Sequence, residues 1–319
     1  MKCEKISCHA GEFCYGSKNG NNLAYNERRQ NTKKIKCKVN IHMKNGVENS
    51  IKDHTRNGLK HSAKNGMPEK MNRNVLVTYI ALTFAITWIS WWMLALLISQ
   101  NILLYSNPIA TVIRMIGGFG PTISAILVMP QKKTLKNIVH FIFFHNKNTA
   151  RFLFLFCFLE AAVIGISSRE INSEIAWFVV PVIFLMATFV GGGNEELGWR
   201  GVMQPKLEEK LSYPVASLVT GFVWALWHLP LWFIEGETQR DIPFVLFAIF
   251  ALFLSFWLAT IYKKTNCVFY CCIFHGLSNL LISFFIIKIN WMFIVGLMLM
   301  LCISIWLYYS EDGPFAKAK

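Results

Sequence analysis

Eight apolar segments, most of them about 20 residues long, follow one another after residue 74 and constrain the fold more than any other feature of the chain. They lie at residues 75–99, 108–129, 151–167, 176–193, 213–234, 242–262, 266–287 and 291–309. A helix of about 20 apolar residues crosses the hydrocarbon core of a bilayer. Because that core offers no water to unpaired backbone groups, such segments fold as helices. The sequence therefore predicts an all-α fold, a polytopic transmembrane helical bundle of about eight spans.

Composition and charge distribution agree with a membrane protein. Hydrophobic residues make up 54% of the 319 residues, above the roughly 45–50% of an ordinary soluble domain. The formal net charge is +14, but residues 1–74 hold 16 Lys and Arg against 6 Asp and Glu, a net of +10. The excess positive charge therefore belongs to the N-terminal tail, and we expect no nucleic-acid binding by the rest of the chain.

The tail and the apolar segments predict two parts of the chain. Residues 1–70 are rich in Lys, Asn, Gly and Ser and contain no aliphatic run, which predicts a basic, disordered N-terminal extension. Residues 71–319 form the membrane-embedded domain. The nine cysteines contain no C-x-x-C pair, so we expect free thiols rather than a disulfide framework.

Lys and Arg in the loops predict the orientation of the chain in the membrane. If the tail is cytoplasmic, loops on its side carry eleven Lys and Arg, and the opposite loops carry three. Cytoplasmic loops are enriched in these residues. The sequence therefore predicts a multi-pass membrane protein with both termini in the cytoplasm.

Glu195, Glu196 and Arg200 interrupt the apolar pattern in the stretch GGGNEELGWRG. Each charge costs about 2.5–3.5 kcal/mol at the centre of a bilayer, so their presence needs a reason. In a helix Glu196 and Arg200 are four apart and can form an ion pair, whereas Glu195 points about 100° away. An ordinary helix N-terminus capped by Asn194 is an equally weighted alternative.

Two histidines lie in later apolar segments, each four residues from another polar or aromatic group. His228 follows Trp224, and His275 precedes Asn279, so each pair shares one helix face. For His228 alone, a place in an interfacial aromatic belt is the simpler interpretation. For His275 and Asn279 the simpler one is hydrogen bonding between helices.

Arg114 and Glu160 are two further ionisable residues within apolar runs. We expect them to pair with each other across spans or to line a polar cavity. Together, the carboxylates, histidines, amide and arginine provide the groups that hydrolysis requires. Transporters place the same groups at the membrane midplane as proton relays, so residue chemistry alone leaves both classes open.

Three motifs in order resemble those of the CPBP family, which comprises CAAX-type prenyl proteases and bacteriocin-processing or immunity proteins, also called the Abi family. They are Glu-Glu-x-x-x-Arg at 195–200, aromatic-x-x-x-His at 224–228 and His-x-x-x-Asn at 275–279. The resemblance covers roughly residues 71–309, with its motif core at 191–279. The family's second motif usually has Phe where this chain has Trp224.

The resemblance implies an intramembrane endopeptidase. In such an enzyme Glu195 is the general base on a water molecule, assisted by His228, and His275 and Asn279 stabilise the oxyanion. The fourth predicted span ends at residue 193, which places Glu195 at the edge of the membrane. His228 would then lie about 22 Å deep, so the boundary of one span must shift.

The family also implies supporting residues and leaves the cofactor open. Glu196, Arg200 and the aromatic residue Trp224 would orient the site. The family is commonly labelled as metalloproteases (metalloendopeptidases), so either no cofactor is required or one divalent metal such as zinc is bound. In the metal-dependent alternative the ligands are Glu195, His228 and His275. We slightly favour water activation without a metal.

The resemblance therefore implies a CPBP-type endopeptidase of a bacterial cytoplasmic membrane, which hydrolyses a peptide bond near the cytoplasmic membrane face. Its expected partners are the lipid bilayer and a membrane-associated peptide or protein, with a prenylated CAAX substrate among those that the resemblance implies. The first alternative is a bacteriocin immunity or scaffold protein without proteolysis. The second is a proton-coupled transporter, which would predict matching half-repeats that the sequence does not show.

Overall fold

The computed structural model describes residues 74–129, 134–168 and 170–310, which fold almost entirely into helices. The α-helices that build the bundle are α1 (Asn74–Ser99), α2 (Pro108–Gly118), α3 (Gly120–Val128), α4 (Leu135–Phe143), α5 (Ala150–Ser167), α6 (Val180–Phe189), α7 (Gln204–Glu208), α8 (Tyr213–Trp227), α9 (Phe244–Thr265), α10 (Val268–Phe284) and α11 (Trp291–Tyr309). The β-pairing in these residues is one isolated bridge between Ile171 and Phe285. The all-α fold is confirmed.

Six helical stretches of the described residues are long and apolar enough to cross a membrane. They are Val75–Ser99, Ala150–Ser167, Trp177–Glu208, Tyr213–Phe233, Phe244–Thr265 and Trp291–Tyr309. A seventh span arises if α2 and α3, bent by 43°, are counted as one. The remaining apolar segment forms α10, whose 17 residues make it slightly shorter than the others. The polytopic helical bundle is therefore confirmed, while the side on which each terminus lies stays a prediction.

The fourth span differs from its predicted boundary at residue 193. The glycines interrupt the α-helix after Phe189, but the apolar helical stretch that is long enough to cross the membrane runs from Trp177 to Glu208. Beyond α6 it passes through a turn at Gly193–Glu195 and a π-helical turn at Trp199–Met203 before α7. The prediction that this span ends at 193 is wrong.

This longer span resolves the difference in depth between Glu195 and His228. Glu195 lies 13 residues before the end of the span at Glu208, and His228 lies 15 residues after the start of α8 at Tyr213. A four-residue loop joins these two helix ends, so they lie at the same end of the bundle. Both residues are therefore about 20 Å from that end.

Small residues allow α10 to approach the fourth span closely. A Cβ on Gly276 of α10 would collide with Thr188, and one on Gly193 would collide with carbonyl oxygens of Thr188 and Cys272. Close backbone approach at small residues is a common way to pack helices in membranes. It brings the face of α10 that carries His275 against the Gly191–Glu196 segment.

The interior of the bundle is aromatic, and its exterior is apolar. Trp199, Trp227 and Trp257 are completely buried, whereas many large apolar side chains point outward, as expected for a surface that faces lipid. The five cysteines of the described ranges are free thiols, as predicted. The four tail cysteines and the predicted extension at residues 1–70 lie outside the described residues.

Candidate active site

Glu195 is buried inside the bundle, and its two carboxylate oxygens have different partners. Oε2 accepts hydrogen bonds from the indole nitrogens of Trp199, at 3.2 Å, and Trp224, at 2.7 Å. Oε1 faces Nε2 of His228 at 3.9 Å. The side chain is buried, so this arrangement of donors and acceptors determines its chemistry.

His228 follows the last residue of α8 and is held by its backbone and by aromatic rings. Its Nδ1 lies 2.9 Å from the carbonyl oxygen of Trp224. Because a carbonyl only accepts, we assign the ring hydrogen to Nδ1, which leaves the lone pair of Nε2 directed at Glu195. The ring is buried among the side chains of Trp91, Trp224, Trp227 and Phe247. Its burial argues against a place in an interfacial belt.

Glu196 forms the expected ion pair with Arg200 at 3.1 Å, and both side chains are fully buried. Its Oε1 also lies 2.8 Å from Nδ1 of His275 on α10. Arg200 donates further to the carbonyl oxygen of Ser255 on α9. Glu196 and Arg200 therefore link the fourth span to two other helices.

The N-terminal capping alternative for this segment does not describe the structure. The Asn194 side chain accepts a hydrogen bond from the N–H of Gly192 and donates one to the carbonyl oxygen of Gly118. It bonds backward along the chain and across to α2 rather than to the helical turn that follows.

Asn279 and Gly192 form the other edge of the site. Asn279 Nδ2 donates to the carbonyl oxygen of Gly191 at 2.7 Å. Gly192 has a φ of +134°, and a Cβ there would collide with the Asn279 amide and lie 2.8 Å from His275 Nε2. The glycine therefore allows the backbone to pass directly over the His275 and Asn279 side chains.

Arg114 and Glu160 do not pair with each other, so the first of the two expectations for them is wrong, and the lining of a polar cavity stays a prediction. Arg114 Nη1 lies 3.5 Å from Glu237, which follows α8 in a loop. Glu160 instead accepts a hydrogen bond from Ser278 of α10 at 2.9 Å. The reason is topological, because α2 packs on α1 and α3, whereas α5 packs on α10.

The sequence did not predict Trp199 and Gly192 as residues of the site. Trp199 follows Glu195 by four residues, a spacing that places both side chains on one helix face and could have indicated the contact. Gly192 gave no such signal, because its φ and its contact with α10 depend on tertiary packing.

The suggested metal ligands do not converge. Among the described residues, no three His, Cys, Asp or Glu side chains are arranged to hold one metal ion. Glu195 and His228 face each other, but His275 directs Nδ1 at Glu196 and Nε2 at the Gly192 backbone. This arrangement of the three side chains does not fit a metal site with Glu195, His228 and His275 as ligands.

Similarity to known proteins covers this part of the chain. Residues 176–281 match the family described as Type II CAAX prenyl endopeptidase Rce1-like, and all three motifs lie within the match. Over these residues the chain is similar to the CAAX protease family. A 66-residue stretch is also 44% identical to CAAX prenyl protease 2 of Methanococcus maripaludis. That alignment covers 20% of this chain and 22% of the relative, so the chain spans about a fifth of the relative's length.

Proposed function

We propose that this protein is an intramembrane endopeptidase of the CAAX protease type, in which Glu195 and His228 activate a water molecule. The observation that carries the proposal is the distance of 3.9 Å between Oε1 of Glu195 and Nε2 of His228. Both atoms are hydrogen-bond acceptors when the carboxylate is ionised and Nδ1 carries the ring hydrogen. Two acceptors facing each other in a buried site need a donor between them.

A water molecule fits this requirement. Its two hydrogens can be donated to two acceptors about 4 Å apart at ordinary hydrogen-bond lengths. Its oxygen lone pairs then point away from Glu195 and His228, toward a bound carbonyl carbon. As the water oxygen bonds to that carbon, its proton passes to Glu195, giving a tetrahedral oxyanion. When the C–N bond breaks, Glu195 returns the proton to the departing amine.

His275 and Asn279 supply the donors for the oxyanion. His275 can donate to the oxyanion when its ring carries a second proton, because each ring nitrogen is then a donor. With Nδ1 directed at Glu196, that proton lies on Nε2. Asn279 has a second amide hydrogen beside its bond to Gly191. Both donors lie beside Gly192, where a substrate carbonyl oxygen would be stabilised.

The proposed substrate is a membrane-associated peptide or protein, including prenylated CAAX sequences. Glu195 and His228 are buried within membrane-spanning segments, and the matched family is one of CAAX prenyl endopeptidases; both observations support this class. The proposed location is the cytoplasmic membrane, with cleavage near its cytoplasmic face. The positive charges of the loops support that orientation.

Cleavage in isotopically labelled water tests the proposed reaction. Purified protein in lipid nanodiscs is incubated in H₂¹⁸O with prenylated and unprenylated membrane peptides. The masses of the products are then measured by mass spectrometry. We expect an internal cleavage whose new carboxyl terminus carries ¹⁸O. The Glu195→Gln protein, prepared identically, controls for a contaminating protease. Intact peptides throughout the set would contradict proteolysis and favour the immunity or scaffold alternative.

A further inference from the structure

We propose that Trp199 and Trp224 are positioning residues that hold Oε2 of Glu195 so that Oε1 is the oxygen presented to the water. This inference rests on the proposed function and names two residues through which it would operate. Neither indole touches the reacting atoms in this scheme. Both act through the carboxylate that they hold.

Two hydrogen-bond donors from different helices converge on the same oxygen. The Trp199 donor lies on the fourth span, four residues after Glu195, and the Trp224 donor lies on α8. Bonds from N–H groups to an ionised carboxylate are stronger than those between neutral groups. Oε2 therefore has two donors, whereas Oε1 faces His228 at 3.9 Å.

This asymmetry matters because the terminal torsion of a glutamate is broad and nearly two-fold. A carboxylate without fixed partners exchanges its oxygens by rotation and samples many tilts. Donors on one oxygen set the plane of the group and the direction of the lone pairs on the other. General-base catalysis depends on that direction, since the water must lie in line with both Oε1 and the substrate carbonyl.

The indole rings are themselves held in place. Trp199 is completely buried and makes edge contacts with Tyr79 and Trp227, each at 5.8 Å between ring centroids. Trp224 lies under the Arg200 guanidinium, 5.7 Å from its ring centroid. Rings fixed on several sides cannot follow a moving carboxylate, so the carboxylate must conform to them.

The other indoles of the core show that this contact is not a general feature of buried tryptophans. The indole nitrogens of Trp227 and Trp257 have no protein acceptor among the described residues. Those of Trp88, Trp91 and Trp232 donate to backbone carbonyls. Only Trp199 and Trp224, of the tryptophans in the described ranges, donate to a carboxylate.

Trp224 also occupies the position where the family motif usually has Phe. Phenylalanine retains an aromatic ring but has no N–H group, so it cannot donate to Glu195. Trp224→Phe therefore removes one donor together with part of the buried ring. Trp199→Phe removes the other, and Trp257→Phe is the matched control, because it makes the same change at a buried indole without an acceptor.

The first test is spectroscopic and needs no substrate. In protein labelled with ¹⁵N-tryptophan, the indole resonances of Trp199, Trp224 and Trp257 are identified by their loss in the three Phe variants. Glu195→Leu should move the Trp199 and Trp224 N–H resonances upfield and leave that of Trp257 in place. Glu195→Gln retains an oxygen acceptor and is the control for misfolding. It should move the same two resonances by less than Glu195→Leu does. Unchanged Trp199 and Trp224 resonances in both variants would overturn the proposal.

The second test is kinetic and separates positioning from simple packing. Trp224→Phe should lower kcat by about ten-fold or more with KM within about two-fold, because losing a bond to a charged group weakens the orientation of the base. Trp199→Phe should act in the same direction, and Trp257→Phe should leave kcat within about two-fold. If Glu195→Gln is inactive but Trp224→Phe matches Trp257→Phe, the positioning role is wrong and the proposed function stands. If Glu195→Gln is as active as the wild type, the proposed function itself is wrong.

Discussion

His275 Nδ1 lies 2.8 Å from Oε1 of Glu196, so the second glutamate of the pair holds a histidine of α10 while the first faces His228. Adjacent residues of one turn thereby serve two different histidines. Glu196 is tied to the buried guanidinium of Arg200, whereas Oε1 of Glu195 faces the His228 ring. The structure therefore separates a structural carboxylate from one suited to act on water.

This separation predicts different effects of removing each negative charge. Glu196→Gln should lower the free energy of unfolding by about 3–5 kcal/mol, because it leaves Arg200 charged and buried without its partner. Glu195→Gln should cost much less, since it breaks no ion pair with a guanidinium. Denaturant unfolding of both variants in the same mild detergent measures the difference. Equal losses of stability would contradict the assignment of Glu196 as the structural member.

Gly192 should not tolerate a side chain. Gly192→Ala would place a Cβ against the Asn279 amide in a backbone conformation that alanine rarely adopts. We expect destabilisation by more than about 1 kcal/mol together with loss of cleavage. Gly165→Ala on α5 is the matched control, because a Cβ there meets no heavy atom within 4 Å. That control should be neutral or stabilising, and a similar result at Gly192 would contradict the close approach of the backbone to α10.

The buried pair of Glu160 and Ser278 should contribute to stability rather than to chemistry. Ser278→Ala removes the hydroxyl that bonds Oε2 of Glu160, whose other oxygen has no protein partner among the described residues. Leaving this carboxyl without a donor should cost about 1–3 kcal/mol in thermal or denaturant unfolding. Ser283→Ala, at an exposed hydroxyl that bonds its own helix, should stay within about 0.5 kcal/mol. A change in kcat without a change in stability at Ser278 would argue for a catalytic role instead.

Glu237 should make stability depend on pH. Burial raises the pKa of its carboxyl above the ordinary value, and the nearby Arg114 guanidinium only partly offsets this effect. A carboxyl whose pKa is higher in the folded state contributes most below its unfolded pKa of about 4.3, and that contribution is lost as pH rises through the folded pKa. The melting temperature of the wild type should therefore fall relative to Glu237→Gln as pH rises from about 4 toward neutrality. A constant difference between the two proteins across this range would contradict the burial of an ionisable Glu237.

Local spacing predicted some of the site, and tertiary packing determined the rest. The Glu196–Arg200 pair follows from residues four apart on a helix, and the same rule would have found Trp199 beside Glu195. The end of the fourth span could not be predicted, because Gly191–Gly193 resembles a helix end until α10 is seen to pack against it. The partners of Arg114 and Glu160 depend on which helices are neighbours, which a single sequence does not encode in a local pattern.

The most direct test of the central claim is the cleavage rate of Glu195→Gln in nanodiscs, on a membrane peptide that the wild type cleaves. Glu235→Gln, at an exposed glutamate in the loop after α8, is the matched control. Because Glu195 is proposed to take the proton from water, we predict a fall in kcat of at least about a hundred-fold for Glu195→Gln. We predict no change for Glu235→Gln, and wild-type activity that persists with a metal chelator. Cleavage by Glu195→Gln at the wild-type rate would contradict the account, and activity lost to the chelator and restored by zinc would show that the water is activated by a metal instead.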